Sequence, residues 1–270
     1  MNAGISLPRI ERQGAWYVAE ARIRQMSKWK GIITIIAIGN PLFYLVAIGV
    51  GIGVLVTANS GTSGTGGVEY ILFIAPALLA NTAILGAMDE TIFPVMEGFK
   101  WRKGFYATNA TPITGQQIVL GIFIAALFRT AFSVYVYWIL LVAFDVVTIG
   151  GSWFAPIVAM YGGAAFGALM IAVVAGVEKD DYFLTVLGRL VITPLFLFSG
   201  TFFPLTNMPI YLQWIGWISP LWHTTELGRY FSYGYSIPGY LLFIHFAFLT
   251  ALLVIGISVA NRRFVRRLLK

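Results

Sequence analysis

Residues 240–260 read YLLFIHFAFLTALLVIGISVA, and residues 261–270 read NRRFVRRLLK. Twenty-one residues pass without an Asp, Glu, Lys or Arg, and then five of the next ten are Lys or Arg. A helix that crosses the hydrocarbon core needs about 20 mainly apolar residues. The pair of stretches therefore reads as one membrane span ending at a basic membrane surface.

Working back from that span, five more runs carry the same signature. They cover about 31–57, 70–88, 118–144, 153–177 and 185–203, so the reading is six spans with 240–260 as the last. Of the 270 residues, 59% are hydrophobic and 11% charged, and the mean hydropathy is +0.82. Soluble domains carry about 25% charged residues. The expected fold is an all-α integral membrane protein. Its expected parts are an arm at 1–30, one membrane domain at 31–260 and a basic tail at 261–270. Asn40-Pro41 in the first run predicts a kink. A cleaved signal peptide would start nearer Met1 and be shorter.

The charges fix an orientation. On a six-span topology 15 of the 18 Lys and Arg fall on one side, among them Arg9, Arg12, Arg22, Arg24, Lys28, Lys30, Lys179 and Arg262. Cytoplasmic loops carry the basic excess, so both termini are expected in the cytoplasm of a cell whose plasma (inner) membrane holds the chain. The net charge of +7 then needs no nucleic acid partner.

The arm has helical periodicity, with Trp16, Ala19, Ile23 and Met26 on one face and Arg12, Arg22, Arg24 and Lys28 elsewhere. That predicts an amphipathic helix lying along the membrane surface among lipid headgroups; an ordinary positive flank is the plainer alternative. Ala58–Glu69 includes the run NSGTSGTGG (59–67) and reads as a flexible connection. Residues 204–239, between the fifth and sixth spans, hold Trp214, Trp217, Trp222 and His223. Only Glu226 and Arg229 are charged there, and Pro204, Pro209, Pro220 and Pro238 cut the segment into pieces too short to span. Interfacial aromatics on short helices fit two re-entrant helices that dip into the outer leaflet. A loop packed on the span tops is the other reading.

Cysteine is absent, which excludes disulfides and thiolate chemistry. No lysine stands in the G-x-x-x-x-G-K-[S/T] pattern that cradles a nucleotide phosphate, and there is no H-E-x-x-H. Asp89 and Glu90 are adjacent, so they point about 100° apart on a helix and do not converge on one reacting atom. No catalytic, cofactor or metal residue is assigned. Arg129, about 11 residues into the third span, is read near mid-membrane. It is either part of a polar pathway that contacts an anionic group or a buried ion pair that fixes helix packing. Gly163 and Gly167 form a small-xxx-small pattern suited to close helix packing, within the bundle or between copies. The cytoplasmic loop after the second span gathers Glu97, Lys100, Trp101, Arg102, Lys103, Phe105 and Tyr106, charged and aromatic side chains suited to docking a soluble partner.

The run TPLFLFSGTFFP (193–204), followed by ISPLWH (218–223) and ELGR (226–229), and the run EGFKWRKGFY (97–106) with IVLG (118–121), resemble the permease subunit of ABC-2-type ABC transporters. The likeness is to the nodulation-protein-J-like and daunorubicin-resistance-like branch. The resemblance covers most of the chain from about residue 30. It implies a permease that pairs with a second copy or a paralogue and with two separate ABC ATPase subunits, which would bind the ATP and Mg. The arm and the segment 97–106 would form the ATPase contact. The cargo would be a lipid-linked glycan, a lipid or a hydrophobic compound, moved outward along a path lined by spans one, two and five. Phe202 and Phe203 would stand near an outer constriction, and Arg129 matches a basic position of the family's third span.

Two rival classes stay in view. An ATP-independent channel or secondary carrier would call for an internal repeat or mid-membrane carboxylates, and neither is evident. A lipid-modifying enzyme would need a convergent catalytic set.

Overall fold

The computed structural model describes residues 7–62, 65, 67–178 and 182–270; Ser63, Gly64 and Gly66 of the glycine-rich connection and Lys179 lie outside them. Every element of secondary structure among the described residues is helical. In chain order the principal ones are α1 (Leu7–Ser27), α2 (Lys30–Val56), α3 (Tyr70–Trp101), α4 (Gly104–Asn109) and α5 (Gly115–Ala143). There follow α6 (Ile149–Ala175), α7 (Leu187–Phe198), α8 (Ile210–Trp217), α9 (Pro220–Tyr233) and α10 (Gly239–Leu268).

Five of these, α2, α3, α5, α6 and α10, are long and apolar enough to cross a bilayer. The run expected as a fifth span is shorter than its composition suggested. Helix stops at Phe198, and Gly200 turns the chain with a φ of +68°, a conformation that a side chain would strain. Residues 183–203 nevertheless connect the two ends of the bundle. Leu187 packs among Ile171 and Val174 at one end, while the carbonyl of Phe202 accepts from Tyr70 Oη (3.2 Å) at the other. In α2 the hydrogen-bond ladder widens to a π-helical pattern over Leu45–Ile52, one turn after Pro41, where the proline has removed a donor.

Helix α3 forms the middle of the bundle between α5 and α6, and α10 packs on α6. Glycines set the approach. A Cβ on Gly163 would come within 2.8 Å of the Ala83 carbonyl oxygen, and one on Gly256 within 2.7 Å of the Ala168 carbonyl carbon. Gly167 faces Ala87 and Thr91, so the small-residue pattern serves packing inside the bundle.

One end carries the basic residues. There Ile92, Val95 and Phe99 of α3, Ile118 and Ile122 of α5, Ile171 and Val174 of α6 and Phe264 of α10 make one buried cluster. Arg267 closes it, donating to the carbonyls of Ala175 and Val177 (both 3.0 Å) with its guanidinium 4.2 Å over the Phe99 ring. At the opposite, aromatic end, Phe73, Ile74 and Leu78 pack on Val134, Tyr137 and Leu141.

Helix α1 runs alongside the first half of α5 in the same direction. Gln117, which closes a capping box with Thr114, donates from Nε2 to the carbonyls of Ile10 (3.2 Å) and Glu11 (2.8 Å). Higher up, Val18 sits against Gly121, and Ile23 and Met26 share a cavity with Phe128 and Arg129. Of the expected apolar face, Ala19 is buried and Ile23 and Met26 lie beside Phe128 and Arg129, while Trp16 is 54% exposed on the side away from α5. Because α1 exposes Glu11, Arg12, Arg24 and Lys28 along this length, the stretch of α5 before Arg129 lies beside charged helix.

Candidate functional site

The sequence-predicted docking segment folds as a tight helical hairpin. The last turn of α3 widens over Glu97–Trp101, with Arg102 N–H donating to the Glu97 carbonyl (2.9 Å), and Lys103 reverses the chain in the left-handed region (φ +54°). The return stroke is α4. Its Phe105 packs edge-on to Phe99 (5.0 Å) and against Phe264 (5.4 Å), and the ring lies on the backbone of Gly98 where any Cβ would clash.

Within this hairpin Glu97 is a hub. Its carboxylate pairs with Arg102 Nε (3.0 Å) and Arg22 Nη1 (3.6 Å). Arg22 Nη2 reaches back to Glu90 (3.1 Å), so one α1 side chain fastens both ends of the last turns of α3. The seven residues expected to act together are brought together but do not share one role. Glu97 and Phe105 are held half-buried, Lys100 is half-buried, and Trp101 (54% exposed), Arg102, Lys103 and Tyr106 project outward. Between the hairpin and α1 lies an open cleft of about 590 Å³, lined by Tyr17, Arg22, Gln25, Glu97, Arg102 and Thr108 among others. Sequence reasoning missed Arg22 and Glu90 as the clamp. The available signal was an adjacent carboxylate pair closing the apolar run at Met88, which needs two cations from elsewhere.

Arg129 is 7% exposed and donates from Nη2 to Asp89 (2.9 Å). Asp89 ends an apolar run that begins at Tyr70, about 28 Å away along the helix. Arg129 is thus paired where the apolar run of α3 ends, and it is the fifteenth of the 29 residues of α5. The buried Thr130 Oγ1 and Tyr137 Oη find no partner, and Tyr137, Asn81, Ser133 and Arg129 line a narrow cavity of about 50 Å³.

Phe202 and Phe203 lie at the far, aromatic end and do not meet Arg129. Phe202 packs edge-on to Phe196 (5.2 Å), which packs on Tyr44 of α2 (6.2 Å), and Phe203 is partly exposed.

The segment between α7 and α10 holds two short helices, as its prolines predict. Trp214 and Trp217 are exposed on α8. Helix α9 starts at an Ser219 cap that accepts from Leu221 N–H (3.2 Å) and ends at Gly234 (φ +73°). Arg229, 1% exposed, is the most buried cation described. It donates to Glu226 Oε1 (2.7 Å), to the Gly200 carbonyl (2.8 Å) and to the Phe73 carbonyl (3.3 Å), and lies 3.7 Å over the Phe73 ring. One guanidinium therefore joins α9 to α3 and to the turn after α7. His223 donates from Nε2 to the Trp217 carbonyl (2.9 Å), leaving Nδ1 to accept from His245 Nδ1–H (2.7 Å). Burial holds the His223 pKa down at about 4, against the pull of the Trp217 carbonyl, so the ring is neutral. Trp222 stands edge-on to both imidazoles (4.9 Å). Among the described residues no three His, Cys, Asp or Glu gather as a metal site.

A bundle of long apolar helices, a charged helical hairpin at one end and paired short helices at the other define a multi-pass membrane protein. Residues 14–233 match the family model described as ABC-2 type transporter, and the chain belongs to that family. It is a membrane subunit of an ABC transporter, a class that works with an ABC ATPase partner. Among curated proteins it is 28% identical over 261 residues to Nodulation protein J of Rhizobium leguminosarum bv. viciae, covering 92% of this chain and 93% of the relative. It is 29% identical over 248 residues to Nodulation protein J of Neorhizobium galegae, covering 89% and 90%. No solved structure matches the chain.

Proposed function

We propose that the chain is the permease of an ATP-driven exporter that moves a lipid-linked glycan, a lipid or a hydrophobic compound out of the cytoplasm or inner leaflet. The observation that carries the reading is the hairpin 97–106. It is covalently continuous with α3, clamped to α1 through Arg22, and it presents Trp101, Arg102, Lys103 and Tyr106 outward beside a cleft. A partner that grips those side chains pulls on α3 and α1 together, and α3 passes through the middle of the bundle. Two ATPase subunits bind ATP and Mg, and the permease carries neither. A second copy or a paralogue completes the transporter.

In this reading the basic end faces the cytoplasm and both termini lie there, in the inner membrane. The chain crosses six times, since residues 183–203 join the two ends and an even count returns the tail to the side of α1. Helices α8 and α9 form the outer re-entrant pair. The aromatic face of α8 at Trp214 and Trp217 suits the outer leaflet boundary. Cargo passes between copies along α2, α3 and α7, beside Phe202 and Phe203, and the exposed apolar faces of α2 and α7 support this placement.

The test is copurification with the candidate ATPase, followed by ATP hydrolysis in lipid nanodiscs. A stable complex with vanadate-sensitive turnover is the expected result. Failure to bind any ATPase across lipid conditions, with the chain properly inserted, would overturn the reading in favour of an ATP-independent channel or carrier.

A further inference from the structure

Arg129 has two sides. On one, Asp89 and Glu90 share a cavity of about 280 Å³ with Arg22. On the other, a separate cavity of about 220 Å³ opens between the α1–α2 junction and α5, and no carboxylate lines it. Its polar contribution comes from Lys30, Arg129, Ser27 and Thr34, and its walls are apolar, including Ile33, Phe128 and Phe132. Arg129 Nε is buried with no hydrogen-bond partner. Lys30 is exposed and enters no ion pair among the described residues. Phe128 (59% exposed) and Phe132 face outward from the bundle, so the cavity opens sideways.

Two cations at the polar margin of a span, one with an unfilled donor, and apolar walls that rise from them toward the bilayer interior form an amphiphile's outline. The arrangement recognises an anion above all, because the only carboxylates nearby lie across the guanidinium, where Asp89 has already taken Nη2. Headgroup depth and the sideways mouth exclude a soluble peptide. We infer that the cavity between α1, α2 and α5 binds the phosphate of an anionic lipid from the inner leaflet, held by Lys30 and Arg129, with its acyl chains along Ile33, Phe128 and Phe132. The bound lipid would also bridge the clamped α1 to α2. This inference stands apart from the ATPase contact and can be tested on the chain alone.

The chain has no cysteine, so a single introduced thiol reports on the site. Thr34→Cys is placed in the cavity and Ile255→Cys on the exposed face of α10 as a reference. The rate of modification by N-ethylmaleimide, a neutral reagent, is compared in nanodiscs of phosphatidylcholine alone and of phosphatidylcholine mixed with phosphatidylglycerol. A cation near an anionic headgroup gives about a fivefold preference, so phosphatidylglycerol is expected to slow Thr34→Cys about fivefold or more through Lys30 and Arg129 together. Ile255→Cys is expected to be unaffected, and Lys30→Glu to abolish the protection. Phe132→Cys carries the same test from the α5 side should Thr34→Cys fold poorly. Equal rates in the two lipids, or protection that survives Lys30→Glu, would overturn the proposal. Protection by inorganic phosphate in phosphatidylcholine as strong as that by phosphatidylglycerol would overturn its lipid part.

Discussion

Replacing Glu226 by Met would leave the Arg229 guanidinium in place without its counter-charge. Removing one partner of a buried ion pair costs about 3–5 kcal/mol, most of it the penalty of an uncompensated charge. Here the carbonyls of Phe73 and Gly200 and the Phe73 ring remain, and the Glu226 side chain is 13% exposed, so water reaches the vacated contact. That places Glu226→Met at the lower end, about 3 kcal/mol. Arg229→Met is worse. It strands Glu226 and also takes the donor from two carbonyls, each orphaned group costing about 1–3 kcal/mol.

The double variant removes both charges and leaves only the carbonyls unsatisfied. It is therefore expected to be more stable than Arg229→Met alone, with the two losses falling short of additivity by at least about 2 kcal/mol. Met is a good helix former, so α9 itself is not penalised. The assay is thermal unfolding of the four proteins in one detergent–lipid mixture. For a chain of this size about 2–4 °C corresponds to 1 kcal/mol, so the non-additivity should reach about 4 °C or more. Losses that simply add would refute the argument that Glu226 and Arg229 stabilise the aromatic end as a pair.

Three further outcomes are expected. Gly256→Ala pushes a Cβ to 2.7 Å from the Ala168 carbonyl carbon, so it should cost about 1–3 kcal/mol, while Gly31→Ala, with nothing within 4 Å, should raise stability by up to about 1 kcal/mol in the same melt. Arg102→Glu changes a side chain that is 74% exposed. The protein should insert and melt normally, whereas ATPase turnover with the partner should fall about tenfold, since a like-charge contact across an interface costs several kcal/mol; unchanged turnover would sink the coupling assignment. His223 is held neutral with its pKa lowered from 6.5 to about 4, so the unfolded chain takes up a proton first as pH falls. Stability attributable to His223 is complete above about pH 6.5 and declines as pH drops toward 4, and His223→Gln should make that part of the melting-temperature profile shallower, with the buried His245 beside it left to titrate.

How far the sequence could be read depends on what sets each feature. The long spans were legible because bilayer thickness fixes their length, and the two short helices α8 and α9 because Pro209 and Pro220 mark their starts. The hairpin at 97–106 was legible as a place, through its charges and rings, but not as a shape, since the widened turn and the left-handed Lys103 have no pattern in the sequence. Helix position and burial rank the arginines differently. Position along its own helix singled out Arg129, yet Arg229 is the more buried cation, because its partners at Phe73 and Gly200 lie 156 and 29 residues away. The arm was legible as a helix with an apolar stripe, but not in what covers each of its sides. An apolar stripe of a given width looks the same whether lipid or another helix covers it. Glycine could have separated the two. Gly14 faces Gln117 and Gly121 faces Val18 and the Ala15 carbonyl, and a helix lying against fluid lipid gains nothing from omitting a Cβ that costs it about 1 kcal/mol in propensity. Gly14 is buried on the side of α1 opposite the exposed Trp16, so the glycine marks the side that α5 covers and leaves the Trp16 side open.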